Sequence, residues 1–221
     1  MPSYRQFLGA YTSASERYAE VFYGILMVTG CTGIVALGVP KEEAGVLFMF
    51  YTALIVNILW GLIDGFTVVY GTMVDDVAED LAVKRLRAGG DEEAAAEVLD
   101  GLDGSLIGKL NEEDKARIVE IIRSAQSYEP VVNKLRWPEI KRILAIFSLD
   151  FVCVFPVAIP YLLAEDITVA ARWSFVIATF LMAFLGYRWA KYARMRRWTI
   201  ALGFGSFTVV LLVISFLLGG I

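Results

Sequence analysis

The stretch VNILWGLIDGFT at residues 56–67 decides the fold, because it lies within an apolar run from Val46 to Thr72. A helix needs about 17–25 apolar residues to cross a membrane, and this run is long enough. Asp64 lies inside the run, where a carboxyl group costs about 3 kcal/mol and usually has a partner or lines a water-filled path. Asp150 repeats the pattern in IFSLDFVC at residues 146–153. Neither stretch contains a lysine or arginine, so the two acids indicate a protein that handles cations.

The composition assigns the whole chain to the membrane class. Of its 221 residues, 57% are hydrophobic, and the mean hydropathy is +0.61, whereas a soluble domain has about 45–50% apolar residues. Four more runs are long enough to span a bilayer: Glu20–Gly38, Ile143–Leu163, Trp173–Trp189 and Trp198–Leu218. Isolated strands cannot satisfy their backbone hydrogen bonds in lipid, so these runs are helices. We predict an all-α polytopic membrane protein with five transmembrane helices.

The basic residues predict the orientation of these helices. Arg5 and Arg17 precede the first run, and most other basic residues lie within 84–142. The turn between the fourth and fifth runs holds Arg188, Lys191, Arg194, Arg196 and Arg197. The opposite turns hold only Lys41 and Arg172. Because basic residues are enriched in cytoplasmic loops, we place the N-terminus inside and the C-terminus outside.

The chain divides into four parts. Residues 1–19 carry tyrosines and a phenylalanine at helical spacing, which predicts an amphipathic segment on the inner membrane surface. Residues 20–72 hold the first two transmembrane helices, joined by a tight turn at 39–43. Residues 73–140 are acidic and predict a small helical cytoplasmic module. Residues 141–221 hold the last three transmembrane helices.

Local signals mark several helix ends and one bend. Gly89–Gly90 predicts the end of a helix that continues the second span, and Asp91 and Asn111 predict the starts of two short helices. Pro156 and Pro160 remove two backbone donors, so they predict a bend or break in the outer half of the third span. Small residues that let helices approach closely lie in the second and fifth spans: Gly61, Gly65, Gly203, Gly205 and Ser206.

The two cysteines, Cys31 and Cys153, both lie within predicted spans. A disulfide between them requires that those helices touch, and a buried cysteine is more often a small apolar residue. The stretch VTGC at residues 28–31 resembles the processing site of a bacterial lipoprotein. However, the preceding region is long and carries acids, and the apolar run continues through residues 34–37. We therefore interpret this segment as a transmembrane helix.

The second and third spans place Asp64 and Asp150 at about the same depth, roughly 10–12 Å from the cytoplasmic end. Met27 and Met182 fall at a similar depth in the first and fourth spans, and Asn57 lies two turns from Asp64 on the same face. A mixed layer of carboxylates and thioethers favours Fe²⁺ or Mn²⁺ over Mg²⁺. Such carboxyl groups can also carry protons. The alternative is that each is protonated and only donates a hydrogen bond to a neighbouring helix.

The path toward the cytoplasm passes Met73 and then enters the acidic module. Carboxylates there lie at helix-compatible spacing and can collect divalent cations before transfer: Asp75, Asp76, Glu79, Asp80, Glu93 and Glu97. Charge runs of this kind are also typical of a solvated surface, and the sequence leaves both interpretations open.

Missing residues and motifs restrict the chemistry. The chain contains no histidine, which excludes histidine-based zinc hydrolysis, histidine haem ligation and Ser-His catalysis. No Walker-type phosphate loop is present. We therefore predict that the chain is not an enzyme. We expect no tightly bound cofactor and no nucleic-acid partner, but contact with membrane lipid, divalent metal ions and protons.

Three stretches resemble segments of one known family: EVFYGILMV at 20–28, NILWGLIDG at 57–65 and FPVAIP at 155–160. They are similar to the prokaryotic branch of the vacuolar iron transporter family, as is the order of two spans, an acidic module and three spans. Plant and protist members carry Asp-Gly in the first span, whereas this chain has it in the second. The resemblance implies a homodimer in a prokaryotic plasma membrane that exports Fe²⁺ or Mn²⁺ from the cytoplasm by proton exchange.

Three functions compete at this point. The first is proton-coupled export of divalent transition metals, with Asp64 and Asp150 alternating between metal and proton. The second is a non-transporting membrane scaffold or sensor, whose acidic module binds a partner or a metal. The third is a cation or proton channel. The first two differ in whether Asp64 and Asp150 share one site or are each sealed by backbone hydrogen bonds.

Overall fold

The structure, a computed structural model, describes residues 3–38, 45–103 and 105–217. All regular structure in these residues is helical, as the sequence predicts. The helices are α1 (Tyr4–Tyr11), α2 (Ala14–Gly38), α3 (Val46–Arg87), α4 (Glu92–Asp103), α5 (Glu112–Ser124), α6 (Trp137–Ala158), α7 (Pro160–Leu163), α8 (Ile167–Tyr192) and α9 (Arg197–Leu217), with a 3₁₀ turn at Ile107–Lys109. The predicted turn at 39–43 and the last residues of the fifth span lie outside the described residues.

The chain forms two compact units. The first contains residues 1–67 and 137–221, and the second contains residues 68–136. Helix α3 contributes its first part to the first unit and its last part to the second. The predicted module boundaries at 73 and 140 lie a few residues beyond these limits.

Three of the described helices are long and apolar enough to cross a membrane: α3, α8 and α9. This is consistent with an integral membrane protein. The predicted first and third spans correspond to α2 and α6. Helix α2 carries Glu16, Arg17 and Glu20 near its start, and α6 carries Lys141 and Arg142 as well as the buried Asp150.

The first unit has its core where α2 packs against α6 and α8. Fully buried residues there include Val28, Val154, Tyr161 and Met182. Helices α8 and α9 also pack closely, and the Thr208 hydroxyl donates a hydrogen bond to the Thr179 hydroxyl at 2.7 Å. This arrangement supports α2 and α6 from one side.

The N-terminal segment is a short helix, as predicted, and it packs on protein as well. Helix α1 begins with a capping box at Ser3, which explains its start. Leu8 is buried against Ala145 and Leu149 of α6, and the hydroxyl oxygens of Tyr4 and Ser148 lie 3.0 Å apart. The apolar face of α1 therefore covers α6.

The two prolines interrupt the helix where the sequence predicts it. Helix α6 contains Pro156 and ends at Ala158, and α7 begins at Pro160. Ser174 of α8 donates a hydrogen bond to the carbonyl oxygen of Val157 at 2.8 Å. Because proline lacks the backbone donor, the helix here is held by its neighbours.

The second unit follows the predicted helix ends closely. Gly89 adopts φ +96°, and the Gly90 N–H donates to the Arg85 carbonyl at 3.1 Å, so α3 ends in a left-handed turn. Asp91 accepts hydrogen bonds from the first turn of α4, and Asn111 accepts one from Asp114 at the start of α5. Its core contains Ala82, Leu86, Ala94, Val98 and Val119.

Asp80 holds the irregular segment after α5 onto α3. Its carboxylate is 4% exposed and accepts hydrogen bonds from Lys84 Nζ (2.5 Å), the Tyr128 hydroxyl (2.5 Å) and the Val131 N–H (3.2 Å). The donors Lys84 and Tyr128 hold the pKa of Asp80 below its ordinary value. Burial, together with the bond to Asp80, raises the pKa of Tyr128 to about 12.

We expect Asp80→Asn to loosen this segment. Because the neutral amide accepts these hydrogen bonds less strongly than the charged carboxylate does, amide exchange at Val131 should accelerate by about tenfold or more. The lowered pKa means that the carboxylate's contribution is present above its unfolded pKa and is lost as the pH falls through its folded pKa. The raised pKa of Tyr128 means that the phenol's contribution is present below pH 10 and is lost toward pH 12. Hydrogen exchange at neutral pH measures the effect.

The matched control for this measurement is Asp76→Asn, because Asp76 lies one turn earlier on α3 and is exposed. The control should leave exchange at Val131 unchanged. Equal protection at Val131 in the Asp80 variant and the wild type would contradict the role given to Asp80.

Candidate cation site

Three carboxyl groups from three helices meet in the first unit. Glu20 of α2, Asp64 of α3 and Asp150 of α6 each place a carboxylate oxygen within 4.8 Å of the others. Glu20 is 5% exposed and Asp150 is 0% exposed, while Asp64 is partly buried. The structure thus unites the two acids that the sequence identifies and adds a third.

Glycines bring the three helices close enough for this meeting. A Cβ atom placed on Gly24, one turn after Glu20, would lie 3.2 Å from the Cα atom of Asp150. A Cβ atom on Gly61, near Asp64, would lie 3.1 Å from the Cβ atom of Asp150. Asp150 is therefore enclosed between two side-chain-free positions, and α2 and α3 approach α6 at backbone distance.

A third glycine extends the contact between α3 and α6. A Cβ atom on Gly65 would lie 2.9 Å from the carbonyl oxygen of Ile143. The predicted close approach at Gly61 and Gly65 is therefore confirmed. In the fifth span, Gly203 has open space around it and Gly205 has ordinary contacts, so the approach predicted there is not found at Gly203.

Several polar atoms around the carboxylates have no hydrogen-bond partner among the described residues. They are Glu20 Oε2 and both carboxylate oxygens of Asp150 within the group, and Asn57 Oδ1 two turns along α3 from Asp64. Buried polar groups in proteins are usually satisfied. Asp150 is therefore not sealed by a backbone hydrogen bond of the kind that the structural alternative requires. Its oxygens remain available to a ligand.

The geometry of the three carboxylates suits a divalent cation. A point equidistant from three oxygens 4.8 Å apart lies about 2.8 Å from each, and small closure brings these distances to the 2.0–2.6 Å typical of Mg²⁺ and Ca²⁺. Mn²⁺ also favours such oxygen ligands. The arrangement can hold one cation, or it can hold protons in the cation's place.

Basic charge lies next to this group on its α2 side. Arg142 of α6 pairs with Glu16 at 2.7 Å, one turn before Glu20 on α2. Glu16 also accepts a hydrogen bond from the Ser13 N–H at the start of α2. The pair joins α2 to α6 and so helps to fix the spacing of Glu20 and Asp150.

The other predicted residues of the first unit are buried or half-buried in the same helices. Asn57 is fully buried two turns from Asp64, and its amide donates to the Ala53 carbonyl at 3.1 Å. Met27 is half-buried on the same face of α2 as Glu20 and Gly24, three residues beyond Gly24. Met182 is fully buried in the core.

Glu20 is the residue that the sequence analysis missed as a ligand. It stands at the end of an apolar run beside Glu16 and Arg17, where charged residues usually face water. The available signal was the pair Glu20 and Gly24, since a carboxylate one turn from a glycine on one face indicates a close helix contact beside an acid.

The predicted metal-collecting residues belong to the second unit, and the described part of that unit does not gather them. Asp80 is engaged by Lys84 and Tyr128, and Glu97 pairs with Arg85 at 2.9 Å. The remaining acids, Asp75, Asp76, Glu79 and Glu93, are exposed. The only ligand group of three acidic residues among the described residues is that of Glu20, Asp64 and Asp150. The solvated interpretation therefore fits these residues better.

Met73 also lies in the second unit, and its backbone has a structural contact there. Its carbonyl oxygen accepts a hydrogen bond from the Asn133 amide at 2.5 Å. The side chain lines a groove with Tyr70, Val74 and Leu135. The lining of this groove is mostly apolar, with Asn133 and Lys134, and it includes no carboxylate, so it gives no support to Met73 as a ligand.

The cysteines do not form the disulfide that the sequence left open. Cys31 and Cys153 are both free. Although α2 and α6 touch, the residue of α2 that faces Cys153 is Gly24. The Cys153 thiol donates a hydrogen bond to the Asp150 carbonyl at 3.0 Å.

No protein-family model, curated protein or solved structure matches the chain. The family resemblance of the sequence stays a prediction, and the functional conclusion depends on the carboxylate site.

Proposed function

We propose that this chain transports divalent transition-metal ions, exporting Fe²⁺ or Mn²⁺ from the cytoplasm in exchange for protons. The meeting of Glu20, Asp64 and Asp150 within 4.8 Å is the observation that carries the proposal. Ionisable residues within membrane helices are rare, and they typically mark ion pathways. Here the three acids come from three separate helices, which is the arrangement that a path between helices requires.

The proposal includes five membrane-spanning helices. Besides α3, α8 and α9, we count α2 and α6 as spans. Helix α2 has 25 residues, and α6 has 22 residues before the break at Pro160. Both lengths reach the range needed to cross a bilayer, about 17–25 residues. In the orientation that the basic residues predict, residues 68–136 and the N-terminus are cytoplasmic. The family resemblance implies that the membrane is the plasma membrane of a prokaryote.

The carboxylates supply both halves of an exchange. A cation entering from the cytoplasm binds the ionised carboxylates, since three anionic oxygens attract it and neutralise its charge. After release on the other side, protons occupy the same oxygens and neutralise them for the return, because three like charges at this distance repel one another. Metal and proton therefore exclude each other at one site, which is the condition for coupling.

The proposed partner in the membrane is a second copy of this chain. The cytoplasmic end of α3 exposes apolar residues at helical spacing: Tyr70, Val74, Val77 and Leu81. The stripe begins at the end of the predicted span and continues beyond it, where exposed apolar residues suit packing against another helix. The homodimer stays a prediction that the family resemblance implies, and the exposed stripe on α3 supports it.

The second candidate function is a membrane scaffold or sensor. The observation that favours it is an open groove of about 820 Å³ in the second unit, lined by Arg85, Gly89, Asp91, Glu93 and Glu97. A groove with both charge signs can accept a polar peptide segment. This function predicts binding without ion flux.

Flux measurements with Asp64→Asn test the proposal. Proteoliposomes with an internal pH dye should take up Fe²⁺ or Mn²⁺ with opposed proton movement. The variant should transport at least about a hundredfold more slowly, since even the loss of groups that only orient ligands reduces metal affinity 10–100-fold. Because Asp64 is partly buried and asparagine has its shape, the fold should persist.

Glu165→Gln is the control, because Glu165 is exposed in the turn between α7 and α8. It should transport at the wild-type rate. Metal flux without proton movement would identify a channel, and no flux from any of the three proteins would favour the scaffold.

A further inference from the structure

Two helix faces meet at the carboxylates, and each extends one turn further outward. Helix α2 presents Glu20 and then Gly24, while α6 presents Asp150 and then Cys153. A Cβ atom placed on Gly24 would overlap the Cys153 sulfur, and the same atom would lie 3.1 Å from Asp150 Oδ1. The sulfur and the carboxylate oxygen therefore both lie against the bare backbone of Gly24, in room that a side chain at residue 24 would take up.

Both groups that lie against Gly24 are available to a ligand. The Asp150 oxygens are fully buried and have no hydrogen-bond partner among the described residues. The Cys153 thiol donates only a weak hydrogen bond along its own helix, to the Asp150 carbonyl at 3.0 Å, and it is not in a disulfide. The sulfur is not among the ligand atoms that lie within 4.8 Å of one another, so coordination requires rotation about the Cys153 Cα–Cβ bond, which redirects the sulfur without moving the backbone.

Sulfur changes what such a site prefers. Three carboxylates alone suit Mg²⁺, Ca²⁺ and Mn²⁺ about equally well by ligand type, whereas a thiolate adds affinity for softer transition metals. Coordination takes place through the thiolate, so the thiol proton passes to the buffer when the metal–sulfur bond forms.

We propose that Cys153 is the fourth ligand of the site formed by Glu20, Asp64 and Asp150, and that its sulfur selects transition-metal ions over Mg²⁺ and Ca²⁺. The inference rests on the cation site of the proposed function, but it does not require transport. It attributes the preference for transition-metal ions to one atom, the Cys153 sulfur.

Cobalt(II) titration of the purified full chain in detergent tests this assignment. Co²⁺ bound to a thiolate gives a charge-transfer band in the near ultraviolet that carboxylate ligands do not give. We expect the band in the wild type and in Cys31→Ser, and we expect no band in Cys153→Ser. The chain has only two cysteines, so the band in Cys31→Ser assigns the sulfur even if the other variant fails to fold.

Affinity provides the second measurement. Cys153→Ser should bind Cd²⁺ at least about tenfold more weakly, while its affinity for Ca²⁺ stays unchanged, because only the soft ligand is lost. Wild-type protein that binds Co²⁺ without the band would overturn the proposal, as would a band that persists in Cys153→Ser.

The two proposals fail separately. A band without flux in proteoliposomes would retain Cys153 as a ligand and reject the transporter. Flux lost in Asp64→Asn, with no band in the wild type, would retain the transporter and reject the sulfur ligand.

Discussion

The substitution Gly24→Ala should destabilise the helix bundle and weaken divalent-cation binding. The added methyl group would overlap the Cys153 sulfur and lie 3.2 Å from Asp150 Cα, which is backbone and cannot rotate away. Overpacking of this kind costs about 1–3 kcal/mol. Relief requires that α2 and α6 separate, and separation moves Glu20 away from Asp150. Thermal unfolding in detergent, with and without Mn²⁺, measures both effects.

The substitution Gly30→Ala is the matched control on the same helix. A Cβ atom there meets nothing within 4 Å, and alanine is favoured over glycine inside a helix by about 0.5–1 kcal/mol. We therefore expect Gly30→Ala to be neutral or slightly stabilising and to keep Mn²⁺ binding. If the two variants change stability in the same direction by the same amount, the close contact at Gly24 does not hold the site together.

The substitution Asp150→Asn should abolish transport and make the metal-free protein more stable. The asparagine amide can donate hydrogen bonds to Glu20 and Asp64, and bonds to charged groups contribute about 1.5–3 kcal/mol. In the wild type those positions face a third carboxylate that has no partner among the described residues. Flux should fall by at least about a hundredfold, because the most deeply buried ligand is gone.

The stability of the variant with and without metal distinguishes this result from a general loss of structure. Mn²⁺ at about 100 times its dissociation constant should stabilise the wild type by about 2.7 kcal/mol and the Asp150 variant by much less. Asp166→Asn serves as the control, because asparagine replaces aspartate well at the helix cap that Asp166 forms on Val169. An Asp150 variant that is less stable than the wild type without metal would show that the carboxylate is a structural group.

The sequence predicted the features that are local, and it located two of the three site acids. A carboxylate inside an apolar run can be recognised from the linear sequence, so the sequence identified Asp64 and Asp150. Glycines and caps act on their own neighbours, so the end of α3 at Gly89 and the starts after Asp91 and Asn111 were correct. The prolines likewise marked the break between α6 and α7.

Residues whose role depends on distant contacts could not be identified in this way. Glu20 is buried only because Gly24 lets α2 pack on α6, a contact between segments more than a hundred residues apart. Asp80 looked like its acidic neighbours, but the Tyr128 hydroxyl, 48 residues later, satisfies it. Charge spacing along one helix contains no information about either partner, so the sequence could not separate Asp80 from its acidic neighbours.

The enclosure of Asp150 between Gly24 and Gly61 gives the three ligands a fixed order of action. Backbone on both sides leaves the Asp150 carboxylate no room to swing out, whereas Asp64 is partly exposed. In the cation site that we propose, an arriving ion would therefore exchange its first water molecule for an oxygen of Asp64 and its last for an oxygen of Asp150. Asp64 would then govern how fast the site fills, and Asp150 how long the ion stays.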